Sequence, residues 1–188
     1  MYSNSDLIDV LYYIIVRFGT IDKIHLSKLI YLADKYHLMM YGRTITGDKF
    51  VTTKLGPVGS TTFSVLNDNL YVLGEYAEYA KRLLKKNGTY QYVPGDNVPI
   101  DQEDIFSETE MEALDFAISN FGGKTMWDVV NYTCNLPEHK RFKYLLDARR
   151  IKMGRIEIED MFISPNDKYF SMSEERLAES LEIFTAGG

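Results

Sequence analysis

The sequence has few of the residues that form disulfides and metal sites. Cys134 is its one cysteine, and His25, His37 and His139 are its only histidines among 188 residues. A single cysteine excludes an intramolecular disulfide, so the hydrophobic core must hold the fold. These residues do not form a run at the close spacing typical of zinc ligands. We therefore expect no metal ion and no cofactor.

Long apolar runs are also missing. The most apolar run, from Val10 to Val16, lies between Asp9 and Arg17 and is much too short to cross a bilayer. The N-terminal residues lack the basic n-region and the cleavage site of a signal peptide. We expect a cytoplasmic protein with no role at a membrane.

Catalytic motifs are absent as well. Asp22, His25 and Ser27 supply the residue types of a hydrolase triad, but no nucleophile elbow surrounds the serine. His25 and Ser27 would also lie on different faces of their helix, because residues two apart do not face each other. The segment 55–59 contains a proline and lacks the lysine that follows a phosphate-binding loop. The sequence therefore predicts a protein that is not an enzyme.

Basic residues are outnumbered by acidic residues overall, 21 against 27, but several of them cluster in one stretch. The net charge of −6 argues against a protein whose whole surface binds nucleic acid. We favour the interpretation of this stretch as a solvated face that pairs with acidic residues further along the chain. The alternative is a nucleic-acid-binding regulator that uses Lys140 to Arg155. The basic residues of the stretch are Lys140, Arg141, Lys143, Arg149, Arg150, Lys152 and Arg155.

The outline of a helix-turn-helix occurs around Gly122 and Gly123. The helix that would read DNA, from Thr125 onward, has no arginine or lysine over 125–131, and Asp128 would repel the phosphates. We therefore do not expect nucleic acid to bind through this helix.

The composition and the hydrophobic pattern predict the fold class. Hydrophobic residues make up 45% and charged residues 26%, as in ordinary globular proteins. We expect a mainly α fold: one compact helical domain over 1–150 with a small antiparallel β element, and a helical extension over 151–188 packed on it. The predicted helices are 6–17, 24–41, 58–69, 76–86, 108–121, 126–136, 138–147, 156–162 and 174–184. The predicted strands, 49–54 and 89–93, pair with each other, and 94–104 is a surface loop.

The stretch from Ile24 to Gly59 predicts a helix, a glycine stop, a strand and a tight Gly-Pro turn. Apolar residues recur at three- and four-residue steps along the helix and predict one buried face. Gly42 ends the helix, and Pro57 suits the first turn of the helix that follows. The residues of the buried face are Leu26, Leu29, Ile30, Ala33, Tyr36, His37 and Met40.

Four segments in this order carry a family resemblance. Lys28-Leu29-Ile30-Tyr31-Leu32-Ala33 is similar to a Lys-Leu-Leu-Tyr-Tyr-Ala core, and Tyr41-Gly42 with 43–45 is similar to Tyr-Gly-x-Pro-Leu. Lys54 to Val58 is similar to Tyr-Gly-Pro-Val, with Leu55 in place of tyrosine. Thr133 to His139 is similar to Thr-His-x-x-Pro-x-Trp, with Cys134 in place of histidine. Together, over about 24–148, they resemble the Panacea domain, the SocA-like antitoxin family of bacterial and phage toxin–antitoxin pairs.

The resemblance implies an antitoxin that neutralises a cognate protein toxin by direct binding. By the same resemblance, the toxin would be encoded by a neighbouring gene in a toxin–antitoxin system of the kind that prophages carry. A basic toxin would suit the net charge of −6, because complementary charge speeds association.

The residues that carry the resemblance divide into two groups. Lys28, Leu29 and Gly42 are expected to hold the fold, while the Gly-Pro turn presents a surface. Leu55 is expected to be an exposed apolar anchor, and Gly56 to need a positive φ. The expected partner-binding residues are Tyr31, Tyr41, Lys54, Leu55, Gly56, Pro57 and Val58.

Overall fold

The structure, a computed structural model, describes residues 4–95 and 105–187 and confirms the mainly α fold class. Its strands form two small antiparallel sheets, with the orders β1-β5-β4 and β3-β2-β6. The helices are α1 (Asn4–Phe18), α2 (Lys23–Tyr41), α3 (Ser60–Leu66), α4 (Ala77–Leu83), α5 (Glu108–Ala117), α6 (Met126–Thr133), α7 (Pro137–Asp147) and α8 (Glu174–Ala186). The strands are β1 (Ile21–Asp22), β2 (Phe50–Thr53), β3 (Gly56–Gly59), β4 (Leu84–Asn87), β5 (Gln91–Pro94) and β6 (Gly154–Ile156). Two 3₁₀ helices (Leu70–Tyr76 and Ile158–Phe162) and a π-helical turn (Ile118–Gly122) complete the description.

Helix α2 lies at the centre of the molecule. The prediction of a single buried face is wrong, because α2 packs against α1, α3, α5, α6, α8 and β3 and is buried on every side from His25 to Met39 except at Tyr36. Its buried residues include Lys28, Asp34 and Lys35. A helix with one apolar face would place their polar groups in solvent. These groups must therefore find partners inside the protein.

Both ends of α2 are fixed by local chemistry, and the end at Gly42 lies where the sequence predicted it. The Asp22 side chain caps the first turn by accepting from the Ile24 backbone N–H at 2.7 Å. Gly42 ends the helix with φ +71° and donates its backbone N–H to the Leu38 carbonyl at 2.9 Å. A Cβ on Gly42 would lie 2.4 Å from the Ser180 carbonyl oxygen of α8. Only glycine fits this position without moving α8.

The predicted pairing of 49–54 with 89–93 is wrong. Strand β5 pairs with β1 and β4, whereas β2 pairs with β3 and β6. The segment predicted as a Gly-Pro turn is strand β3, which folds back on β2 so that Pro57 lies opposite Thr52. The sheet tolerates Pro57 because β3 is an edge strand. Helix α3 consequently begins at Ser60 rather than at residue 58.

The capping signals of the second half are confirmed. Ser107 and Thr125 form capping boxes at the starts of α5 and α6, and Ser173 caps α8. The predicted helix 76–86 ends at Leu83 and continues as β4, and the predicted helix 156–162 is β6 followed by a 3₁₀ helix. Most of the predicted loop 94–104 lies outside the described residues.

The segment after residue 150 contacts the rest of the fold through β6, the second 3₁₀ helix and α8. Strand β6 adds to the free side of β2, and α8 packs against α2. The division into 1–150 and 151–188 stays a prediction. Within the described residues, no helix is both long and apolar enough to cross a membrane.

Candidate partner-binding surface and its buried support

Lys28 ties the central helix to the β2–β3 hairpin. Its Nζ donates a hydrogen bond to the Pro57 carbonyl oxygen at 2.6 Å, and the side chain is almost fully buried. Burial lowers the pKa of Lys28 to about 7, because the low-dielectric interior disfavours the charged amine. Lys28 therefore fixes the position of β3 from inside.

A second buried group joins α2 to α7 and to the segment beyond it. The Tyr31 hydroxyl donates to Glu138 Oε1 at 2.5 Å, and Lys35 Nζ lies 3.0 Å from the same oxygen. Lys35 Nζ also donates to the carbonyl oxygens of Met161 at 2.7 Å and Ile163 at 3.3 Å. Burial raises the pKa of Tyr31 and lowers that of Lys35. The Lys35 cation and Glu138 Oε1 thus pair in the interior and hold α7 and the second 3₁₀ helix on α2, whereas Glu138 Oε2 is buried without a hydrogen-bond partner among the described residues.

Asp34 organises the loop that follows α2. Its carboxylate accepts from the backbone N–H groups of Ile45 at 2.7 Å and Thr46 at 3.0 Å, and from the Thr46 hydroxyl at 2.6 Å. Burial outweighs these hydrogen bonds and raises the pKa of Asp34 to about 7. The three hydrogen bonds set the path of the chain from Gly42 into β2.

The segment from Thr133 to His139 packs against the β2–β3 hairpin. His139 Nδ1 and the Thr52 hydroxyl share a hydrogen bond of 2.6 Å, and burial lowers the pKa of His139. Gly56 has φ +90°, and a Cβ there would lie 2.8 Å from Thr133 Oγ1 and 3.3 Å from Cys134 Sγ. The expected positive φ at Gly56 is confirmed, and the close approach gives a second reason for glycine.

A family model described as "Antitoxin SocA-like, Panacea domain" matches residues 26–138, which is more than half of the chain. The chain belongs to this family. No curated protein and no solved structure matches it significantly. The matched stretch of this Panacea-domain protein contains both partners of the Lys28–Pro57 and Tyr31–Glu138 hydrogen bonds.

Several predicted partner-binding residues of the Panacea domain lie inside it. Tyr31, Gly56, Pro57 and Val58 are buried, so a partner of the folded chain cannot contact their side chains as predicted. For Gly56, Pro57 and Val58 the error has one cause. A Gly-Pro turn would lie at the surface, whereas strand β3 is covered by α2, α6 and α7. Tyr41 is half-buried and donates to Glu112 of α5 at 2.5 Å. Lys28 and Leu29 are buried, as expected of residues that hold the fold.

The exposed part of the predicted surface is the hairpin tip, Lys54 and Leu55. Leu55 is 36% exposed. Its backbone N–H donates to Thr53 Oγ1 at 3.1 Å, and Cys134 Sγ lies 3.9 Å from the Lys54 carbonyl oxygen. Thr53 and Cys134 thus contact the backbone of the tip, and Leu55 is partly open to solvent.

Two cavities flank the hairpin tip and share Thr53, Leu55 and Phe63. The smaller, of about 140 Å³, reaches Lys28 between α2 and α3. The larger, which we call the hairpin groove, has a volume of about 520 Å³. The residues lining the hairpin groove are Thr53, Lys54, Leu55, Phe63, Leu146, Arg149, Ile151, Lys152 and Met153.

The basic residues of the stretch 140–155 have different surroundings in the structure. Arg141 pairs with Asp160, Lys143 with Asp147 at 2.6 Å, and Arg155 with Glu157 at 3.0 Å. These pairs agree with the interpretation of a solvated face. Arg149 and Lys152 instead line the hairpin groove, while Lys140 and Arg150 are exposed outside it.

Sequence reasoning missed the apolar half of the hairpin groove. Phe63 and Met153 are 37% and 44% exposed, and Ile151 lines the same groove. The alternation of Ile151 and Met153 with Lys152 is the sequence signal that could have indicated an apolar surface within the basic stretch. Over 4–95 and 105–187, no group of three or more acidic, histidine or cysteine side chains is placed to bind a metal ion.

Proposed function

We propose that this protein is an antitoxin that neutralises a cognate protein toxin by direct binding, and that the toxin is encoded by a neighbouring gene. The observation that carries the proposal is the family match over 26–138. The hairpin tip supports it, because an exposed leucine beside two cavities offers apolar surface that a protein partner can bury.

The distribution of polar groups supports binding rather than catalysis. Four buried polar side chains of types that occur in catalytic sites each form a hydrogen bond with a neighbouring structural element: Lys28, Tyr31, Asp34 and His139. What the hairpin presents to solvent is apolar and cationic surface. Such a surface suits recognition of a protein.

Co-expression with the product of the adjacent gene tests the proposal. The wild-type chain is expected to relieve growth inhibition by that product and to co-purify with it. Leu55→Asp is expected to lose both properties, because a carboxylate at the tip would be desolvated on binding. Leu181→Asp is the matched control, since Leu181 has a similar exposure of 38% on α8, which packs near the other end of α2.

Two results would contradict the proposal. One is a wild-type chain that neither relieves the toxicity nor co-purifies with the neighbouring product. The other is an equal loss in Leu55→Asp and Leu181→Asp, which would trace the effect to general destabilisation and leave the hairpin tip without a role.

A further inference from the structure

The hairpin groove combines an apolar floor with a cationic rim. Leu146 forms a buried part of its wall, and Leu55, Phe63 and Met153 expose more than a third of their side chains around it. Met153 is unbranched and adapts to irregular partners. A volume of about 520 Å³ lies in the range of grooves that accept bulky side chains.

The charges at this groove have one sign. Lys54, Arg149 and Lys152 line it, and none of its lining residues is acidic. The acid nearest in sequence, Asp147, pairs with Lys143 at 2.6 Å and also interacts electrostatically with Lys54. Although the whole chain carries −6, the groove is therefore locally cationic.

Arg149 is held in a conformation that ordinarily favours glycine. It follows α7 with φ +55°, at the position where helices commonly end in glycine. Backbone hydrogen bonds from Arg149 to Leu146 at 3.1 Å and from Arg150 to Leu145 at 2.9 Å fix this turn. An arginine here costs about 1 kcal/mol relative to glycine. Such strain, at a residue that lines the groove, points to a role for the side chain in binding.

We propose that the hairpin groove receives an acidic amphipathic segment of the toxin, an inference that rests on the proposed function. Apolar side chains of that segment pack between Leu55, Phe63 and Met153, and its carboxylates face Lys54, Arg149 and Lys152. Nucleic acid suits this site less well, because a phosphate backbone would leave the apolar floor uncovered. The charge match would set the orientation of the segment and its rate of association.

The decisive variant is Arg149→Gly. It removes a cation from the groove and relieves the positive φ, so the fold is expected to be at least as stable as wild type by urea unfolding. Arg149→Gly combined with Lys152→Ala is expected to weaken the complex with the neighbouring gene product by about tenfold, and raising the salt concentration is expected to narrow this difference. Lys140→Ala removes an exposed cation outside the groove and is expected to change the affinity by less than about twofold.

Isothermal titration with the purified partner separates the outcomes. A complex that the double variant forms as tightly as wild type overturns the groove inference and leaves the antitoxin proposal intact. Equal weakening by Lys140→Ala also overturns it, because the effect would then come from the whole basic face.

If wild type forms no complex, the antitoxin proposal fails and a probe peptide decides the groove inference. The probe is a fluorescein-labelled 14-residue peptide of leucine, phenylalanine and glutamate, compared with its lysine-for-glutamate counterpart. Selective binding of the acidic peptide, lost in the Arg149 and Lys152 double variant, supports the inference, and absence of binding overturns it. In either case, a 20-base-pair DNA duplex that binds at low salt and displaces the peptide or the partner would assign the groove to nucleic acid and overturn it as well.

Discussion

Lysine has two contrasting environments in this protein. On α2, Lys28 and Lys35 are almost completely buried, and each Nζ donates to backbone carbonyl oxygens of another element. Around the hairpin groove, Lys54 and Lys152 are exposed, and no described carboxylate forms an ion pair with either. The buried lysines lie where the family model matches, and Lys152 lies beyond the match.

The difference indicates what each region contributes. The polar residues of the matched helix set where the hairpin, α7 and the second 3₁₀ helix lie, so their replacement should change stability. The exposed cations hold nothing together, so their replacement should change only recognition. The following predictions test this division, beginning with the largest expected effect.

Replacing Lys35 should have the largest effect on stability. Lys35→Ala would leave the Glu138 carboxylate buried without its cation, which typically costs about 3–5 kcal/mol of unfolding free energy. Urea unfolding measures the loss, and Lys152→Ala, the exposed counterpart, should change stability by less than about 0.5 kcal/mol.

A double variant shows whether the charge itself is responsible. Lys35→Met with Glu138→Gln removes both charges and keeps an acceptor for the Tyr31 hydroxyl, so it should recover much of the stability that Lys35→Ala loses. A double variant as unstable as Lys35→Ala would show that packing, and not the ion pair, dominates at this site.

Lys28 should make stability depend on pH. Its pKa is about 7 in the folded protein and near 10.5 when unfolded, so between these values the unfolded chain binds more protons. Stability should therefore rise with pH above 7, and Lys28→Met should lack this rise. We expect the difference between the two proteins to change by roughly 2 kcal/mol from pH 7 to pH 9.

Urea midpoints at several pH values provide the measurement, and Lys54→Met is the exposed control that should follow wild type. Tyrosine titration affects all three proteins equally and cancels in the comparison. Parallel curves for wild type and Lys28→Met would show that Lys28 stays protonated in the fold.

Local signals in the sequence predicted much of the helical fold. The caps at Ser107, Thr125 and Ser173 and the stop at Gly42 depend on a few neighbouring residues, and each lies where the sequence placed it. These features are readable because a cap satisfies the free backbone groups of its own helix end.

Features that depend on distant residues could not be read in the same way. Strand β3 was predicted as a turn because proline is rare inside sheets. Pro57 is tolerated because β3 is an edge strand, and this position depends on the pairing of β2 with β3 and β6. The hydrogen bonds of Lys28 and Lys35 could not be predicted because their acceptors, Pro57 and Met161, lie 29 and 126 positions away. The hairpin groove brings Leu55 beside Met153, and no local period connects these residues.

Gly56 tests the buried base of the hairpin. Gly56→Ala should lose stability twice, through its φ of +90° and through the contact of the new Cβ with Thr133 Oγ1. Gly88→Ala has a similar φ of +73° but open space around the Cβ, so it should lose only about 1–2 kcal/mol. We expect Gly56→Ala to be less stable than Gly88→Ala by about 1 kcal/mol or more in urea unfolding. Equal losses would mean that α6 shifts to accommodate the methyl group.

Leu55 tests the exposed tip and should give a small change in stability. Leu55→Ala removes a side chain that is already 36% exposed, so we expect a loss of under about 1 kcal/mol. Leu29→Ala, in the fully buried core of α2, should lose about 2–5 kcal/mol in the same urea titration. Binding should show the reverse order, with a weaker complex for Leu55→Ala under conditions where both variants are folded. If Leu55→Ala unfolds at the same urea concentration as Leu29→Ala, Leu55 belongs to the core, and the exposed region no longer differs from the buried one.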